Sequence, residues 1–140
     1  GKVYSIYTNP ITSADIPDGG LFECPVFLQK QIDNFRDIRV TVVGNKLFSA
    51  EIKKLASDDV DWRKPEVEKE YKTHILPDEI STKILRLNNV LGLKYGAYDF
   101  ILTNGGHYVF LEVNPAGEWV WLDSLFNDGI STAFVDLLSE

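Results

Sequence analysis

Three oxygen-bearing side chains stand out as candidates for metal chemistry. Asp99, Glu112 and Asn114 lie on two successive segments rich in β-forming residues, and the alternation along these segments places all three on one side. Carboxylate and amide oxygens suit Mg²⁺, which often takes one or two carboxylates together with the phosphates of a substrate. The same pattern also fits ordinary solvated positions on the outer face of a sheet, and the spacing alone leaves both interpretations open.

The register between these segments depends on the turn that joins them. Asn104-Gly105 is the strongest short hairpin signal, because both central residues of a type I′ turn need a positive φ. With these two residues as the loop, Asp99 pairs with Phe110 and is a diagonal neighbour of Glu112, at an α-carbon distance of about 7–8 Å. The opposite face is then the core, and it contains Tyr98, Phe100, Leu102, Val109, Leu111 and Val113.

A second hairpin is predicted at Gly44-Asn45, with glycine first as a type II′ turn requires. This register pairs Arg39 with Ala50 and places Asp37 on the same face as Arg39. Opposite a small residue, the guanidinium of Arg39 could reach a phosphate and bind it through two parallel hydrogen bonds. An exposed charge pair of little energetic consequence explains the same residues.

The chain pattern predicts six strands and two helices. The strands cover residues 3–8, 26–32, 38–43, 47–52, 95–103 and 107–114. The first helix covers residues 77–91 and the second 129–138, with apolar stripes formed by Ile80, Ile84, Leu87 and Leu91, and by Ile130, Phe134 and Leu137. The polar residues 56–72 are expected to form a loop. We therefore expect an α+β fold, an antiparallel sheet with helices packed on one face.

Composition narrows the class of protein. The chain has 140 residues, which fits one domain, and 44% of them are hydrophobic, as in a folded globular protein. The net charge of −7 argues against binding to nucleic acid or to an anionic membrane. No stretch approaches the ~20 apolar residues of a membrane span. Cys24 is the one cysteine and cannot form an internal disulfide, which favours a reducing, cytoplasmic setting and a buried structural role for its thiol.

Several stretches, in the same order along the chain, resemble the ATP-grasp superfamily. The nearest likeness is to the ligases that make graspetides, such as the microviridin macrocyclases, and a more distant one is to the ribosomal-protein glutamate ligases. The matching stretches are residues 25–32 (PVFLQKQI), 37–44 (DIRVTVVG), 61–63 (DWR), 95–101 (YGAYDFI) and 110–117 (FLEVNPAG), followed by Trp119. The combination of an aspartate in one strand and a Glu-x-Asn motif at the end of the next is specific to the family when the stretches occur in this order.

The resemblance implies a role for each candidate residue. Asp99, Glu112 and Asn114 match the magnesium ligands of the family. Gln29, Lys30 and Ile32 match the segment that lines the adenine pocket, Asp37 the ribose contact, and Arg39 the phosphate or acyl-phosphate contact, which Arg63 assists. The loop that carries Arg63 is the looser match, and it could instead face the acceptor peptide.

The chemistry implied is a two-step ligation with ATP and Mg²⁺. ATP phosphorylates a carboxylate, and a hydroxyl or an amine, expected on a ribosomal precursor peptide, attacks the acyl phosphate. The family also has a preceding domain and an N-terminal subdomain with phosphate-binding lysines, so residues 1–140 are expected to be a C-terminal catalytic region that is inactive alone. A glutamate or amino-acid ligase and a non-catalytic nucleotide-binding module remain open, as does a homodimer.

Overall fold

The computed structural model describes residues 7–16, 27–32, 36–55 and 60–139. Within these ranges, five strands, β1 to β5, and three helices, α1 to α3, follow one another. They are β1 Arg36–Val43, β2 Lys46–Lys54, β3 Lys69–Thr73, α1 Asp78–Val90, β4 Tyr95–Leu102, β5 Tyr108–Asn114, α2 Val120–Asp123 and α3 Gly129–Leu138. Two single turns of 3₁₀ helix, Ser13–Asp15 and Ser124–Phe126, complete the list.

The strands form one antiparallel sheet in the order β3-β2-β1-β4-β5. The central strands β1 and β4 are buried along almost their whole length, as expected for strands that are covered on both faces. This architecture confirms the predicted α+β fold with an antiparallel sheet. The β1–β2 hairpin also has the predicted register, with Arg39 paired with Ala50 and a positive φ of 60° at Gly44.

Helix α1 covers one face of the sheet. Ile84 packs into a buried cluster with Ile38, Val40, Val42, Tyr98, Phe100 and Leu102, and Ile80 and Leu87 pack beside it. The predicted apolar stripe is therefore confirmed at three of its four positions. It is wrong at Leu91, which is 48% exposed because the helix ends there and Gly92 turns the chain away with a φ of 67°.

Helices α2 and α3 pack at one end of the opposite face. Ile130 and Ala133 of α3 contact a cluster that contains Val43, Ala50 and Leu122, with Phe134 and Leu137 packed against it. The Asp123 carboxylate accepts hydrogen bonds from the backbone N–H groups of Ile130 and Ser131, so it holds the start of α3. The sequence assigned the helices to a single face, whereas these clusters place α1 on one face and α3 on the other. Loop residues such as Thr8, Trp62 and Arg63, rather than these helices, lie over the rest of the second face, which we call the open face.

The predicted register of the β4–β5 hairpin is wrong. The positive φ belongs to Gly106, at 79°, and the loop closes through hydrogen bonds from Gly106 N–H to the Thr103 carbonyl and from Thr103 N–H to the His107 carbonyl, both 3.0 Å. This is the three-residue alternative, a tight turn followed by a left-handed residue, and it offsets the pairing by one residue relative to a two-residue loop.

A β-bulge then offsets the pairing by a second residue. Phe100 pairs with Phe110, but Asp99 pairs with Glu112, so Leu111 has no opposite partner. The predicted core face is therefore wrong for Val109 and Leu111, which line the open face instead. Tyr108 takes a place in the core beside Phe100.

Three further segments differ from the sequence expectation. Residues 27–32 are not in a strand, and the side chains of Phe27 and Leu28 are 88% and 54% exposed. Residues 7 and 8 are likewise not in a strand, while residues 3–6, 26 and Cys24 lie outside the described residues. Strand β3 was missed and lies largely within the region predicted as a loop, because its sequence, KEYKT, carries no apolar alternation. Among the described residues, no helix combines the length and apolar character that a membrane crossing needs.

A buried polar contact joins α1 to the sheet and provides a test of this packing. The Tyr98 hydroxyl donates to the Asn88 side-chain oxygen at 2.9 Å, and the Asn88 amide donates to the Leu93 carbonyl at 2.7 Å. We expect Tyr98→Phe to lower the free energy of unfolding by roughly 1–3 kcal/mol, because it leaves a buried acceptor unsatisfied. Urea denaturation measures this. Tyr71→Phe, at a 38% exposed tyrosine, is the control and should change stability by less than about 0.5 kcal/mol.

Candidate functional site

One row of residues crosses three strands on the open face of the sheet. Arg39 of β1 pairs with Asp99 of β4, and Asp99 pairs with Glu112 of β5. Directly paired residues of an antiparallel sheet point to the same face, with α-carbons about 4.5–5.5 Å apart. Asn114 belongs to the next row, opposite Ala97. The bulge thus brings the two predicted metal-ligand carboxylates nearer than the diagonal arrangement that the turn predicted.

Arg39 and Asp99 form a buried ion pair at the centre of this row. The Nη1 atom of Arg39 is 2.8 Å from each carboxylate oxygen of Asp99, and Nη2 donates to the Glu118 carbonyl at 3.1 Å. The two residues are 7% and 9% exposed. The alternative of an exposed, energetically minor charge pair therefore does not apply to Arg39.

Burial raises the pKa of the Asp99 carboxyl above its usual value. The Arg39 guanidinium opposes this effect, whereas the Glu112 carboxylate on the neighbouring strand adds to it. Because Asp99 and Glu112 are directly paired, their carboxylates repel each other, and a cation held between them would relieve this repulsion.

The loop after β5 packs down onto Arg39. The Asn114 side-chain oxygen accepts a hydrogen bond from Ala116 N–H at 2.9 Å, which starts the turn, and the Tyr95 hydroxyl donates to the Gly117 carbonyl. A Cβ atom on Gly117 would lie 2.6 Å from the Ala97 Cβ and 3.1 Å from Arg39 Nη2. Only glycine allows the loop to approach this closely, and so the Glu118 carbonyl can reach the guanidinium.

Asp61 holds the second arginine of the site. One carboxylate oxygen accepts from the backbone N–H and the Nε of Arg63, and the other accepts from Arg63 Nη2 and from Thr8 N–H, at distances between 2.9 and 3.0 Å. Asp61 is 4% exposed, and these hydrogen bonds lower its pKa to about 2 despite burial. The remaining Nη1 of Arg63 lies 3.9 Å from the Glu112 carboxylate.

Two adjoining cavities bring together all nine residues that the sequence singled out. The larger, about 600 Å³, is lined by Gln29, Lys30, Ile32, Asp37, Arg63, Asp99 and Glu112. The smaller, about 510 Å³, is lined by Arg39, Arg63, Asp99, Glu112 and Asn114. Because Arg63, Asp99 and Glu112 line both cavities, the predicted metal ligands lie at the junction between them.

The predicted magnesium ligands fit a hard cation by their chemistry. Asp99 and Glu112 offer carboxylate oxygens and Asn114 an amide oxygen, while substrate phosphates and water complete such sites. Within the parts of the chain that the structure describes, no group of three or more His, Cys, Asp or Glu residues is arranged to hold a metal. A bound ion would therefore depend on Asn114 or on the substrate for its third ligand.

Comparison with known proteins yields matches among solved structures, whereas no protein-family model and no curated protein sequence matches the chain. The macrocyclase MdnC of Microcystis aeruginosa, solved with its precursor peptide MdnA, is 35% identical over 78% of this chain and 35% of that chain, with a TM-score of 0.65. An ATP-grasp ligase of Chryseobacterium gregarium, described as RiPP-associated and solved with ADP and a leader and core peptide, is 32% identical over 98% of this chain and 45% of that chain, with a TM-score of 0.87.

The chain belongs to the ATP-grasp superfamily. The macrocyclase MdnB of Microcystis aeruginosa, 36% identical over 79% of this chain and 40% of that chain with a TM-score of 0.64, supports the same assignment. The graspetide-type resemblance predicted from the sequence is confirmed. This ATP-grasp chain spans less than half the length of each of these relatives.

Several residues beside the candidate site were not predicted from the sequence. Lys54 Nζ lies 3.6 Å from the Asp37 carboxylate, the predicted ribose contact. Asp61 was noticed only as part of a motif, and Glu118 acts through its backbone carbonyl, which carries no sequence signal. Tyr71 and Trp121 line the smaller cavity beside Arg39 but come from β3 and from α2, neither of which was predicted.

The hydrogen bonds of Asp61 allow a sharp test. Asp61→Asn keeps the shape of the side chain. Because each carboxylate oxygen of Asp61 accepts two N–H donors, the NH₂ group of asparagine would face donors in either orientation and lose two hydrogen bonds. We expect the free energy of unfolding to fall by roughly 1–3 kcal/mol.

The pH dependence should change as well. Because folding lowers the pKa of Asp61, its carboxylate contributes stability above the unfolded-state pKa of 3.8, and this contribution disappears as the pH falls through about 2. Urea denaturation between pH 5 and about pH 2 should show this loss in the parent chain and a flatter profile in Asp61→Asn. Asp136→Asn, at an exposed residue of α3, is the control. A variant as stable as the parent at pH 5 would contradict the assigned hydrogen bonds.

Proposed function

We propose that this chain is the nucleotide- and metal-binding region of an ATP-dependent carboxylate ligase. The enzyme transfers the γ-phosphoryl group of ATP to a carboxylate and releases ADP; a hydroxyl or an amine of a ribosomal precursor peptide then attacks the acyl phosphate and displaces inorganic phosphate. The carrying observation is the junction of the two cavities at Arg63, Asp99 and Glu112. One cavity takes the nucleotide, the other takes the peptide, and the phosphate to be transferred lies between them.

In this proposal the larger cavity binds the nucleotide. Gln29, Lys30 and Ile32 line the adenine side, and Asp37, which Lys54 orients, contacts the ribose. The matched solved structure of the Chryseobacterium gregarium ligase, which contains ADP, supports a nucleotide in this family. The exposed Phe27 side chain also lines this cavity and offers an apolar surface for a base.

Asp99, Glu112 and Asn114 would hold Mg²⁺ at the junction of the cavities. When bound, the ion neutralises charge on the phosphate oxygens and orients them for transfer. The geometry supports this role, because Asp99 pairs directly with Glu112 and all three residues line the smaller cavity. Glu112 is exposed and faces Arg63, so its carboxylate can turn toward a ligand with little rearrangement.

The two arginines would stabilise the charge that develops during transfer. Asp61 holds Nε and Nη2 of Arg63, so Nη1 is presented at the junction, 3.9 Å from the Glu112 carboxylate. Arg39 faces the smaller cavity, held by Asp99 and by the Glu118 carbonyl. Positioned donors of this kind stabilise phosphoryl and acyl transfer without a protein nucleophile. The peptide carboxylate therefore attacks ATP directly in this mechanism, and the nucleophile that follows belongs to the peptide.

The metal ligands can be tested by nucleotide binding. We expect Asp99→Asn combined with Glu112→Gln to weaken Mg-ATP binding by roughly tenfold or more in the complete protein, since both carboxylates are needed to neutralise the ion. Isothermal titration calorimetry measures the affinity, with and without Mg²⁺. Glu79→Gln, at an exposed carboxylate of α1, is the matched control and should bind like the parent. Equal binding by the double variant and the parent would remove the metal site from the proposal.

Turnover distinguishes the region from the whole enzyme. We expect the 140-residue chain alone to hydrolyse or transfer phosphate from ATP at a background rate, because it spans less than half the length of each relative it matches. Release of ADP in the presence of a glutamate-containing peptide measures this, with the complete protein assayed in parallel. Multiple turnovers by the 140-residue chain would show that it contains the full catalytic set.

A further inference from the structure

The smaller cavity has an aromatic wall that none of the assigned roles uses. This wall consists of Trp62, Tyr71 and Trp121, which come from three separate parts of the chain; Trp62 also lines the larger cavity. The Trp121 ring centroid lies 5.5 Å from that of Trp62 and 5.1 Å from that of Tyr71, with tilted planes. Aromatic rings at these separations attract one another and present a continuous apolar surface.

The same carbonyl oxygen fixes the wall and the charged end of the cavity. The Glu118 carbonyl accepts from Trp121 Nε1 at 3.3 Å and from Arg39 Nη2 at 3.1 Å. On the other side Trp62 directly precedes Arg63, whose Nη1 faces Glu112. These contacts therefore fix the position of the aromatic wall relative to the two arginines.

The position of Tyr71 confirms that the wall faces the site. Tyr71 pairs with Ile52 of β2, and Ile52 pairs with Asp37 of β1, so Tyr71 lies on the open face. Tyr71 lines the smaller cavity and is 38% exposed, so part of this aromatic residue remains accessible. Lys69, on the same strand, places its ammonium group 5.8 Å from the Trp62 ring, which adds positive charge near the wall.

We propose that Trp62, Tyr71 and Trp121 form a subsite for an apolar or aromatic side chain of the substrate peptide, two positions along from the residue whose carboxylate reacts. This rests on the proposed function. A ligand that fills the smaller cavity must offer an acid to the arginines and an apolar group to the wall. In an extended peptide the side chains at positions i and i+2 point to the same side, about 7 Å apart, and meet both requirements.

Peptide binding to the complete protein tests the subsite. The probes are synthetic eight-residue peptides with a single glutamate and with phenylalanine, leucine or serine two positions away. A fourth peptide has the composition of the phenylalanine peptide but carries this residue four positions from the glutamate. Isothermal titration calorimetry with Mg-ADP present should give an affinity roughly tenfold higher for the first phenylalanine peptide than for the serine peptide.

Variants of the wall should remove this preference. In Tyr71→Ala the ratio of the phenylalanine and serine affinities should fall to within about twofold, and Trp62→Ala should do the same. Lys72→Ala is the matched control, because Lys72 neighbours Tyr71 on β3 but pairs with Glu51 and points to the face that α1 covers. It should keep the preference of the parent.

The outcomes separate the subsite from the proposed function. Equal affinities for all four peptides, or a preference that Tyr71→Ala and Trp62→Ala leave intact, would overturn the subsite while Mg-ADP binding persists. Absence of any peptide binding would overturn it too. Failure of Mg-ADP to bind would instead overturn the nucleotide role of the larger cavity. The peptide titrations do not test that role; they test the subsite.

Discussion

The buried pair of Arg39 and Asp99 is the interaction on which the rest of the site depends. Two charges at 7% and 9% exposure are costly to remove from water, and their attraction compensates only when the geometry is good and further hydrogen bonds are made. Here Nη1 of Arg39 contacts both carboxylate oxygens, and the Glu118 carbonyl satisfies Nη2. Loss of either partner would leave an uncompensated charge in the middle of the sheet. The loop that supplies the carbonyl is therefore tied to the same pair, and Gly117 allows its close approach.

The bulge in the β4–β5 hairpin sets which residues accompany that pair. Because Leu111 has no partner, Glu112 lies directly opposite Asp99, and an uninterrupted ladder would have placed Leu111 there. Bulges of this kind re-aim side chains at functional sites. The hydrophobic periodicity of β5 is disturbed for the same reason. Tyr108 and Val113 face α1, whereas Val109 lines the open face. The one inserted residue thus interrupts the regular pairing of β5 and places the carboxylates of Asp99 and Glu112 opposite each other.

The sequence predicted the fold better than the details of the site. Regular periodicity located α1, α3, the β1–β2 hairpin and the two strands of the β4–β5 hairpin. The register of that second hairpin was wrong, because Asn104-Gly105 can serve a three-residue loop with Gly106 in the left-handed region as well as a two-residue loop. Strand β3 was not predicted, because this edge strand is rich in charged residues and lacks the alternation of apolar and polar residues. Residues 27–32 looked like a strand by composition, yet their apolar side chains line a cavity. Backbone contacts such as the Glu118 carbonyl, and the clustering of three distant aromatic residues, depend on tertiary structure and leave no local pattern.

The two arginines illustrate different ways to hold a cation ready for an anionic ligand. Arg39 is buried, and its partner Asp99 is one of the predicted metal ligands, so a bound ion would compete for the same oxygens and loosen the pair. Arg63 is held by Asp61, which lies outside the predicted ligand set and whose pKa of about 2 keeps it ionised over the whole physiological range. The exposed Nη1 of Arg63 therefore keeps its position at the junction of the cavities whether or not an ion is bound. In the proposed site, Arg63 would therefore supply a positive charge of constant position, and Arg39 a guanidinium whose pairing with Asp99 changes when an ion binds.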